Sequence, residues 1–566
     1  MMKFSEFPYE RPNYEQVKAK MGTLMSALDA VSNADQFMET FDKINKLRCH
    51  YDTMSTLCEI RHSINTKDEF YDGEINYWNE YGPLYQALES KLFQKVLHSP
   101  FLDELKKRIP ETYFKRAEFN EKSFKEEIIP DLQEENKLTT EYDKLIASAE
   151  VEFEGKTYNL SQLKALTLSN DRNLRERAYF ARMSYFADHE ADFDDIFDRM
   201  VKLRDSIAKK LGFKNFVELG YVRMLRYDYN QEDVAAYRKE VVKHIVPVAQ
   251  KLYNAQKKRL GQDRLRCFDE SIEFLSGNPT PKGTPEELVA AAQKMYHEMS
   301  PESGEFIDVM VNQELMDLVS KPGKKSGGYC TSISDYKVPF IFANFNGTSG
   351  DADVLTHEAG HAFQRYQSRN IPVPECLGAT KETAEIFSMS MEFFAWPWSE
   401  GFFKEDTEKY HFLHLGGAMK FVPYGVLVDH FQHEVYEHPD MTPDERKAAW
   451  RKLEKIYLPH KDYEGCEILE KGCWWFQQGH IFDSPFYYID YTLAQVCALQ
   501  FWKRSQVDHD ETYWNDYLSI CKLGGSLPFR KMLEVAHIQV PFKEGVLGDT
   551  VAAVEEYLDQ FDTTNM

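Results

Sequence analysis

Two histidines four residues apart constrain this chain more than any other feature. They stand in Val354-Leu355-Thr356-His357-Glu358-Ala359-Gly360-His361-Ala362-Phe363. On a helix, positions i and i+4 lie one above the other on the same face. Two imidazoles so placed can share one zinc ion, each at roughly 2.0–2.1 Å. Glu358, one step round, is poorly placed as a ligand and well placed to take a proton from an attacking water. Ala359, Gly360 and Ala362 leave room for another helix to approach closely. Thr348, Ser349 and Asp351 offer caps, with acidic groups in the first turn where the helix dipole favours them.

A hydrolytic zinc site needs a third protein ligand and one open position for water. One known solution places Gly three residues and His six residues after the second histidine. Here those positions hold Gln364 and Gln367, which excludes it. The other common solution takes a glutamate from a following helix, and residues 380–394 read as such a helix. Its candidates are Glu382, Glu385 and Glu392. Glu385 and Glu392 share a face at i+7, while Glu382 sits in the first turn, where it can serve the dipole. Spacing alone leaves the choice open. A second cluster, His430, His433, Glu434 and His438, lies on a helix from Val426 to Glu437. It lacks the H-E-x-x-H frame of 357–361, since His433 and His438 are five apart, and reads as an ordinary amphipathic helix.

At 566 residues the chain is too long for one ordinary core, so two or more lobes are expected. Helical periodicity dominates. Val17, Met21, Leu24, Met25, Leu28 and Val31 recur at spacings of three and four, and Ser32 and Asn33 supply a stop and a fresh cap. Similar patterns run through 34–63 and 68–98. Residues 150–160 alternate around a glycine and read as a β-hairpin. A boundary follows near 165, giving an N-terminal helical region, 1–165, and a region carrying the motif, 166–566. Helices continue to about 260, a Pro/Gly-rich loop spans 277–284, and 306–345 reads as β-rich. Within it Val338–Phe345 is a strand, and Pro339, which cannot donate to a ladder, predicts a sheet edge.

Charge and cysteine usage narrow the partners. With 92 acidic against 68 basic residues the formal charge is −24, which repels nucleic acid and anionic membranes. Neither is expected as a partner. The N-terminus lacks an apolar core and cleavage site for secretion, and no stretch is apolar enough to span a bilayer. The nine cysteines are scattered from Cys49 to Cys521 without a C-x-x-C pair, which fits reduced thiols in a cytoplasm. Cys466 and Cys473, the nearest pair, read as ordinary thiols.

H-E-x-x-H on a helix is the pattern of zinc peptidases, and peptide hydrolysis would place negative charge on a carbonyl oxygen, so donors are expected near the metal. The segment from Gln478 to Tyr491 supplies them. Ser484-Pro485 signals a helix start with His480 on the preceding loop. Tyr487 and Tyr491 then share a face, with Tyr488 beside them, and phenols near pKa 10 stay protonated at neutral pH. An edge strand beside the metal can accept a peptide as an added strand, and Gly327 and Gly328, followed by Tyr329, permit its close approach.

H-E-x-G-H, followed by Ala384-Glu385-Ile386-Phe387-Ser388-Met389 with Glu385 placed 24 residues after the second histidine, resembles the M3 metallopeptidases. Within them it is similar to the oligoendopeptidase F and Pz-peptidase branch, which is thimet oligopeptidase-like. The resemblance covers about residues 165–560; the N-terminal helices match only in general character. It implies Glu385 as the third ligand of one zinc ion per chain, and Glu392 as a supporting carboxylate. Asp351 and Asp353 are candidates to orient the histidines. It implies a mainly α fold, a multi-helical two-lobed shell around a deep substrate channel, with a small β-sheet beside the zinc site. It also implies that His480 and some of Tyr487, Tyr488 and Tyr491 hold substrate and stabilise the tetrahedral intermediate. The sequence departs from the pattern at Ile489, where another Tyr is expected, and that leaves the stabilising phenol open. The implied activity is a zinc metalloendopeptidase, an oligopeptidase cutting internal bonds of short unfolded peptides. Two alternatives stand beside it. A helical metallocarboxypeptidase or dipeptidyl carboxypeptidase needs a cationic pocket that no Arg/Lys pattern near the site marks. A non-catalytic peptide-binding zinc protein would have a closed metal site.

Overall fold

Side-chain caps open the N-terminal helices where the sequence places them. Asn13 accepts from Gln16 N at the start of Tyr14–Ala30, whose buried stripe is Val17, Met21, Met25 and Leu28. Asn33 caps Ala34–Ile64 and Asp68 caps Glu69–Leu97 in the same way. Each cap contributes about 1 kcal/mol. The computed structural model describes every residue except 1, 322, 326 and 565. Among the described residues no helix is long and apolar enough to cross a membrane.

The fold is mainly helical, and its strands are few. β1 (Val151–Phe153) and β2 (Lys156–Tyr158) form the expected antiparallel hairpin. Its turn is Glu154-Gly155, both at positive φ (50° and 77°), the backbone that matches the twist of a two-residue hairpin loop. β3 (Met316–Val319), β4 (Tyr329–Ile333) and β5 (Val338–Phe345) form a second sheet in the order β3-β5-β4. β5 runs parallel to β3 and antiparallel to β4.

Two sequence expectations fail in this region. The β-rich reading of 306–345 begins too early, because Pro301–Asn312 is a helix. Ser300 caps it, Pro301 fills its first turn, and Phe306, Ile307, Val309 and Met310 are its buried face. The strand with Pro339 is central, not an edge. Ile341 N donates to Leu315 O, so the nitrogen of Pro339, two residues earlier, faces the same side. Pairing with β3 begins only at Met316↔Ile341, so the missing N–H falls beyond the end of that neighbour. The edges of this sheet are β3 and β4.

The chain divides into two compact units, each built from separated segments. The first comprises Met1–Lys122, Pro279–Thr407 and Cys497–Ile538. It contains the three-stranded sheet and the H-E-x-x-H helix, and β5 is buried along almost its whole length. The second comprises Ser123–Asn278, Glu408–Val496 and Gln539–Met566. Aromatic packing fills its core: Phe431 lies 5.2 Å from Trp450 and 5.3 Å from Trp475, and Phe197 lies 4.7 Å from Trp475. Much of the aromatic content is therefore structural. Such ring pairs add about 0.5–1.5 kcal/mol each beyond their burial.

Candidate metal centre

The helix that carries the motif is not uniform. A short α-turn, Gly350–Asp353, leads into a π turn, Val354–Glu358, and then into regular helix, Ala359–Ser368. A π turn holds one extra residue, and its backbone bonds reach one residue further than usual. Local groups support the altered ladder. Thr356 Oγ1 donates towards the carbonyls of Ala352 and Asp353 at 3.3 and 3.2 Å, and the buried Tyr296 phenol donates to Leu355 O at 2.9 Å. His357 thus sits in the widened turn and His361 in the regular one. Their ring centroids are 5.1 Å apart and nearly perpendicular, at 84°.

A second helix, Lys381–Phe394, packs against this one, and Gly360 makes the approach possible. A Cβ at Gly360 would stand 2.7 Å from both Phe387 O and Ser388 Cα, closer than atoms pack. That proximity lets Glu385 and Glu392, two turns apart on one face, address two edges of the same imidazole. Glu385 Oε2 lies 3.4 Å from His357 Nε2 and 3.4 Å from His361 Nε2. Glu392 Oε1 lies 2.5 Å from His357 Nδ1. A carboxylate on Nδ1 keeps the proton there and turns the Nε2 lone pair towards the ligand position. Ser388 Oγ donates to Glu385 Oε2 at 3.1 Å. Glu382 is buried at the helix start, accepts from Thr380 Oγ1 at 2.7 Å and stands outside the group.

The donor set suits a tetrahedral metal. One ligand atom each from His357, His361 and Glu385 lies within 4.8 Å of the others. Ligands about 2.1 Å from a tetrahedral centre stand about 3.4 Å apart. Both Nε2–Oε2 pairs show that separation. Among the described residues no fourth His, Cys, Asp or Glu joins the group, so one corner is left without a protein ligand. The electrostatics agree. Burial opposes charge on His357, yet hydrogen bonds with Glu385 and Glu392 hold its pKa well above the ordinary value. Burial likewise raises Glu385, but the facing His361 and His357 hold it well below the usual carboxylate range. The carboxylates thus favour positive charge at the imidazole edge, which a metal cation supplies.

Glu358 is half-buried, and its carboxylate has no hydrogen bond or ion pair with another side chain among the described residues. Strand β4 lies beside it. Burial pushes the Cys330 thiol up to about 12, with Arg365 lowering it and Glu358 raising it. Arg365 Nη1 donates to Ser332 Oγ at 3.1 Å and so ties the motif helix to this edge strand.

The segment leading into β4 is held by its neighbours. Asn344 Nδ2 donates to the carbonyls of Lys325 and Gly327 at 2.9 and 2.8 Å. Lys324 Nζ donates to Asp317 O and Val319 O, both at 3.0 Å, and also to Ala343 O. Gly327 has φ 91° and open space where a side chain would be, whereas a Cβ at Gly328 would lie 3.3 Å from Phe342 O. Tyr329 stacks on Phe342 at 4.9 Å, and its hydroxyl is buried. Burial raises that phenol to about 12. What this residue presents at the edge is backbone.

His480 and the tyrosines belong to the second unit and form a cluster of their own. The His480 ring lies 5.7, 5.1 and 5.8 Å from those of Tyr487, Tyr488 and Tyr491. Tyr487 and Tyr491 stack at 4.8 Å, as the i+4 spacing predicts. Burial raises Tyr488 to about 12, so it is a protonated donor at neutral pH. Gln478 Nε2 lies 2.9 Å from His480 Nδ1, and Tyr424 donates to Gln478 Oε1 at 2.6 Å. The local backbone differs from the sequence expectation. His480 lies on a short helix, Gly479–Asp483, and the next helix starts at Tyr488, three residues after Pro485. Phe486 intervenes at φ 69° with its side chain fully buried. Its N–H donates to Gln432 Oε1 at 3.0 Å, and Arg226 donates to its carbonyl at 2.5 Å. Tertiary anchoring thus outweighs the Ser-Pro start signal. Ile489 is fully buried and is a core residue.

One candidate fails here, and one feature escaped the sequence reading. The group that orients His357 is Glu392, not Asp351, which instead accepts from the backbone of Asn346 and Gly347 at 2.9 and 2.8 Å. The i+7 relation of Glu385 and Glu392 was the available signal. Tyr424 and Gln478, the support of His480, carried no local pattern.

The sequence pattern described as Peptidase M3 N-terminal domain matches residues 4–124, and that of Peptidase family M3 matches residues 165–550. The structure of Pz peptidase A, solved with an inhibitor, is 51% identical with a TM-score of 0.94, and all of both chains is covered. A structure from Bacillus anthracis assigned to oligoendopeptidase F is 46% identical with a TM-score of 0.90, again covering all of both chains. An oligoendopeptidase F homolog of Borreliella burgdorferi is 24% identical over 376 residues, which span 63% of this chain and 60% of that relative.

Proposed function

The chain belongs to peptidase family M3, and from that premise we propose that it is a zinc-dependent endopeptidase of short, unfolded peptides. The family and the His/His/Glu group imply a metal ion. Zinc, one ion per chain held by His357, His361 and Glu385, suits the two nitrogens and one oxygen on tetrahedral spacing. The observation that carries the reading is the single Glu385 oxygen standing 3.4 Å from each Nε2.

When bound, the ion supplies Lewis acidity that polarises a water and the scissile carbonyl. Glu358 takes the proton of the attacking water and returns it to the departing amine; its lack of a side-chain partner leaves it free for both transfers. Glu392 holds His357 in one tautomer throughout. Family membership is what supports the phenols of Tyr487, Tyr488 and Tyr491, with His480, as donors to the negative oxygen of the tetrahedral intermediate. Gly327, Gly328 and the backbone of Tyr329 lead into the edge strand β4, against which an extended peptide can add with little demand on its sequence. With a formal charge of −24, nucleic acid and anionic membranes are not assigned as partners.

A quenched fluorescent peptide blocked at both ends tests this directly. Purified protein should contain one zinc per chain and cleave the peptide internally, and a chelator should stop cleavage until zinc is restored. Intact peptide, or removal of terminal residues from unblocked peptide alone, would overturn the reading.

A further inference from the structure

A cavity of about 560 Å³ opens in the first unit between helices Ala34–Ile64 and Glu69–Leu97 and the edge strand β4. Thr331 and Ser332 of β4 line it. So does Arg365, one turn beyond His361, which brings the cavity to within about 6 Å of a metal ligand along the helix axis. No residue of the metal centre uses this space.

The cavity walls carry unbalanced charge. Arg48 is neutralised, with Nη2 at 2.8 Å from Glu89 Oε1 and 2.5 Å from Glu375 Oε1. Asp52 and Glu59, two turns apart on the same helix face, are not. Asp52 accepts from Ser334 Oγ at 2.7 Å and Glu59 from Ser55 Oγ at 3.3 Å. Among the described residues neither forms an ion pair with a cationic side chain. Both carboxylates reach solvent, yet the surrounding protein is dense enough that burial raises their pKa. Against them stands Arg365, so the lining acids Asp52, Glu59 and Glu89 outnumber the lining cations Arg48 and Arg365 by one. A second feature is independent of the acids. Tyr51 and Tyr85 stack at 3.9 Å, are only 4% and 7% exposed, and carry hydroxyls with no hydrogen-bond partner among the described residues. Trp78 packs edge-on to Tyr51 at 4.9 Å. Aromatic faces beside unpaired carboxylates form the environment that holds an organic cation.

We propose that this cavity is a subsite for a protonated amine of the bound peptide, seated between Asp52, Glu59 and the Tyr51–Tyr85 wall. The amine is either the free α-amino terminus or a Lys or Arg side chain. The inference rests on the peptidase reading above and names a preference within it. An extended peptide advances about 3.3 Å per residue. The amine therefore enters two or more residues from the bond that is cut, and it acts on KM more than on kcat.

The test is a peptide series with one core, carrying Lys, Arg or norleucine at each position, with a free or an acetylated N-terminus. For the zinc-loaded natural protein, kcat/KM for the favoured cationic peptide should exceed that of the acetylated norleucine peptide by about tenfold. Loss of the gain on acetylation identifies the α-amine, and its persistence identifies the side chain. In the D52N/E59Q double variant the ratio should fall to near one. A ratio near one at every position in the natural protein overturns the proposal, whether or not the double variant folds. Equilibrium binding of the same peptides to the E358Q protein reads the same ratio without turnover, so a failure of the peptidase reading is distinguishable from a failure of the subsite.

Discussion

Two helices of this protein are rich in histidine and glutamate, and only one builds a metal centre. In the motif helix, His357 and His361 face a carboxylate helix that Gly360 allows to approach closely, and burial is overruled by acids that favour a cation. In helix Thr407–Glu437, His430 and His433 face different company. His433 Nε2 lies 3.1 Å from the Tyr221 phenol, and His430 Nδ1 lies 3.0 Å from that of Tyr457. Asp429, 3.6 Å from His433 Nε2, is paired with Arg238 at 2.9 Å, while Glu434 and Glu437 stand 3.8 Å from His430 Nε2 and His433 Nδ1. Burial, with Arg238 adding to it, pushes His430 down to about 4. Residue content is similar in the two helices. What differs is whether largely buried carboxylates converge on the ring nitrogens, or phenols, a guanidinium and partly exposed acids surround each ring.

The hardest blow to this contrast is struck at Glu358. E358Q should retain zinc and lose roughly 10²–10⁴-fold in kcat; a variant cutting at the natural rate would remove the residue from the reaction. Glycine in each helix gives the next largest effect. G360A should drive apart the two metal helices, cost more than about 1–3 kcal/mol and lower zinc stoichiometry, since the opposing atoms are backbone. G417A, in the other helix with nothing within 4 Å, should instead raise the melting temperature slightly. Equal responses to the two substitutions would erase the distinction drawn from packing.

E392Q should weaken zinc binding about 10–100-fold in a competition assay with a metal indicator, because His357 loses the carboxylate that fixes its tautomer. The smallest effect concerns pH. His430 is neutral in the fold, with a pKa depressed below the unfolded value of about 6.5. Its contribution is therefore present above that value and lost as pH falls from about 6.5 towards 4. In metal-free protein, H430Q should reduce the drop in melting temperature between pH 7 and pH 4.5 by about 1–3 °C. An unchanged drop would show that His430 is not held neutral.

The legible part of the site was its local part. The i, i+4 histidines, the small residues between them and the tyrosine spacing at 487 and 491 are helix geometry written in sequence, and each appears in the structure. Choosing among Glu382, Glu385 and Glu392 required either family resemblance or coordinates, because all three sit on one short helix. The failures share one cause. Pro339 sits mid-sheet because β3 starts two residues later along β5, and Phe486 breaks the Ser-Pro start because Arg226 and Gln432 hold its backbone. Glu392, not Asp351, orients His357 because the neighbouring helix brings it there from 35 residues along the chain. Pairing registers and distant anchors leave no periodic trace in a single chain.

The π turn at Val354–Glu358 carries an evolutionary burden. Deleting one residue there would restore an unbroken α-helix and a regular ladder, a change that backbone energetics alone would welcome. It would also take away the widened turn in which His357 sits, and a cut at Glu358 would leave the two histidines three residues apart, off the i, i+4 spacing. The lineage must therefore keep a locally inferior helix at constant length, with Thr356 and Tyr296 retained as its splints.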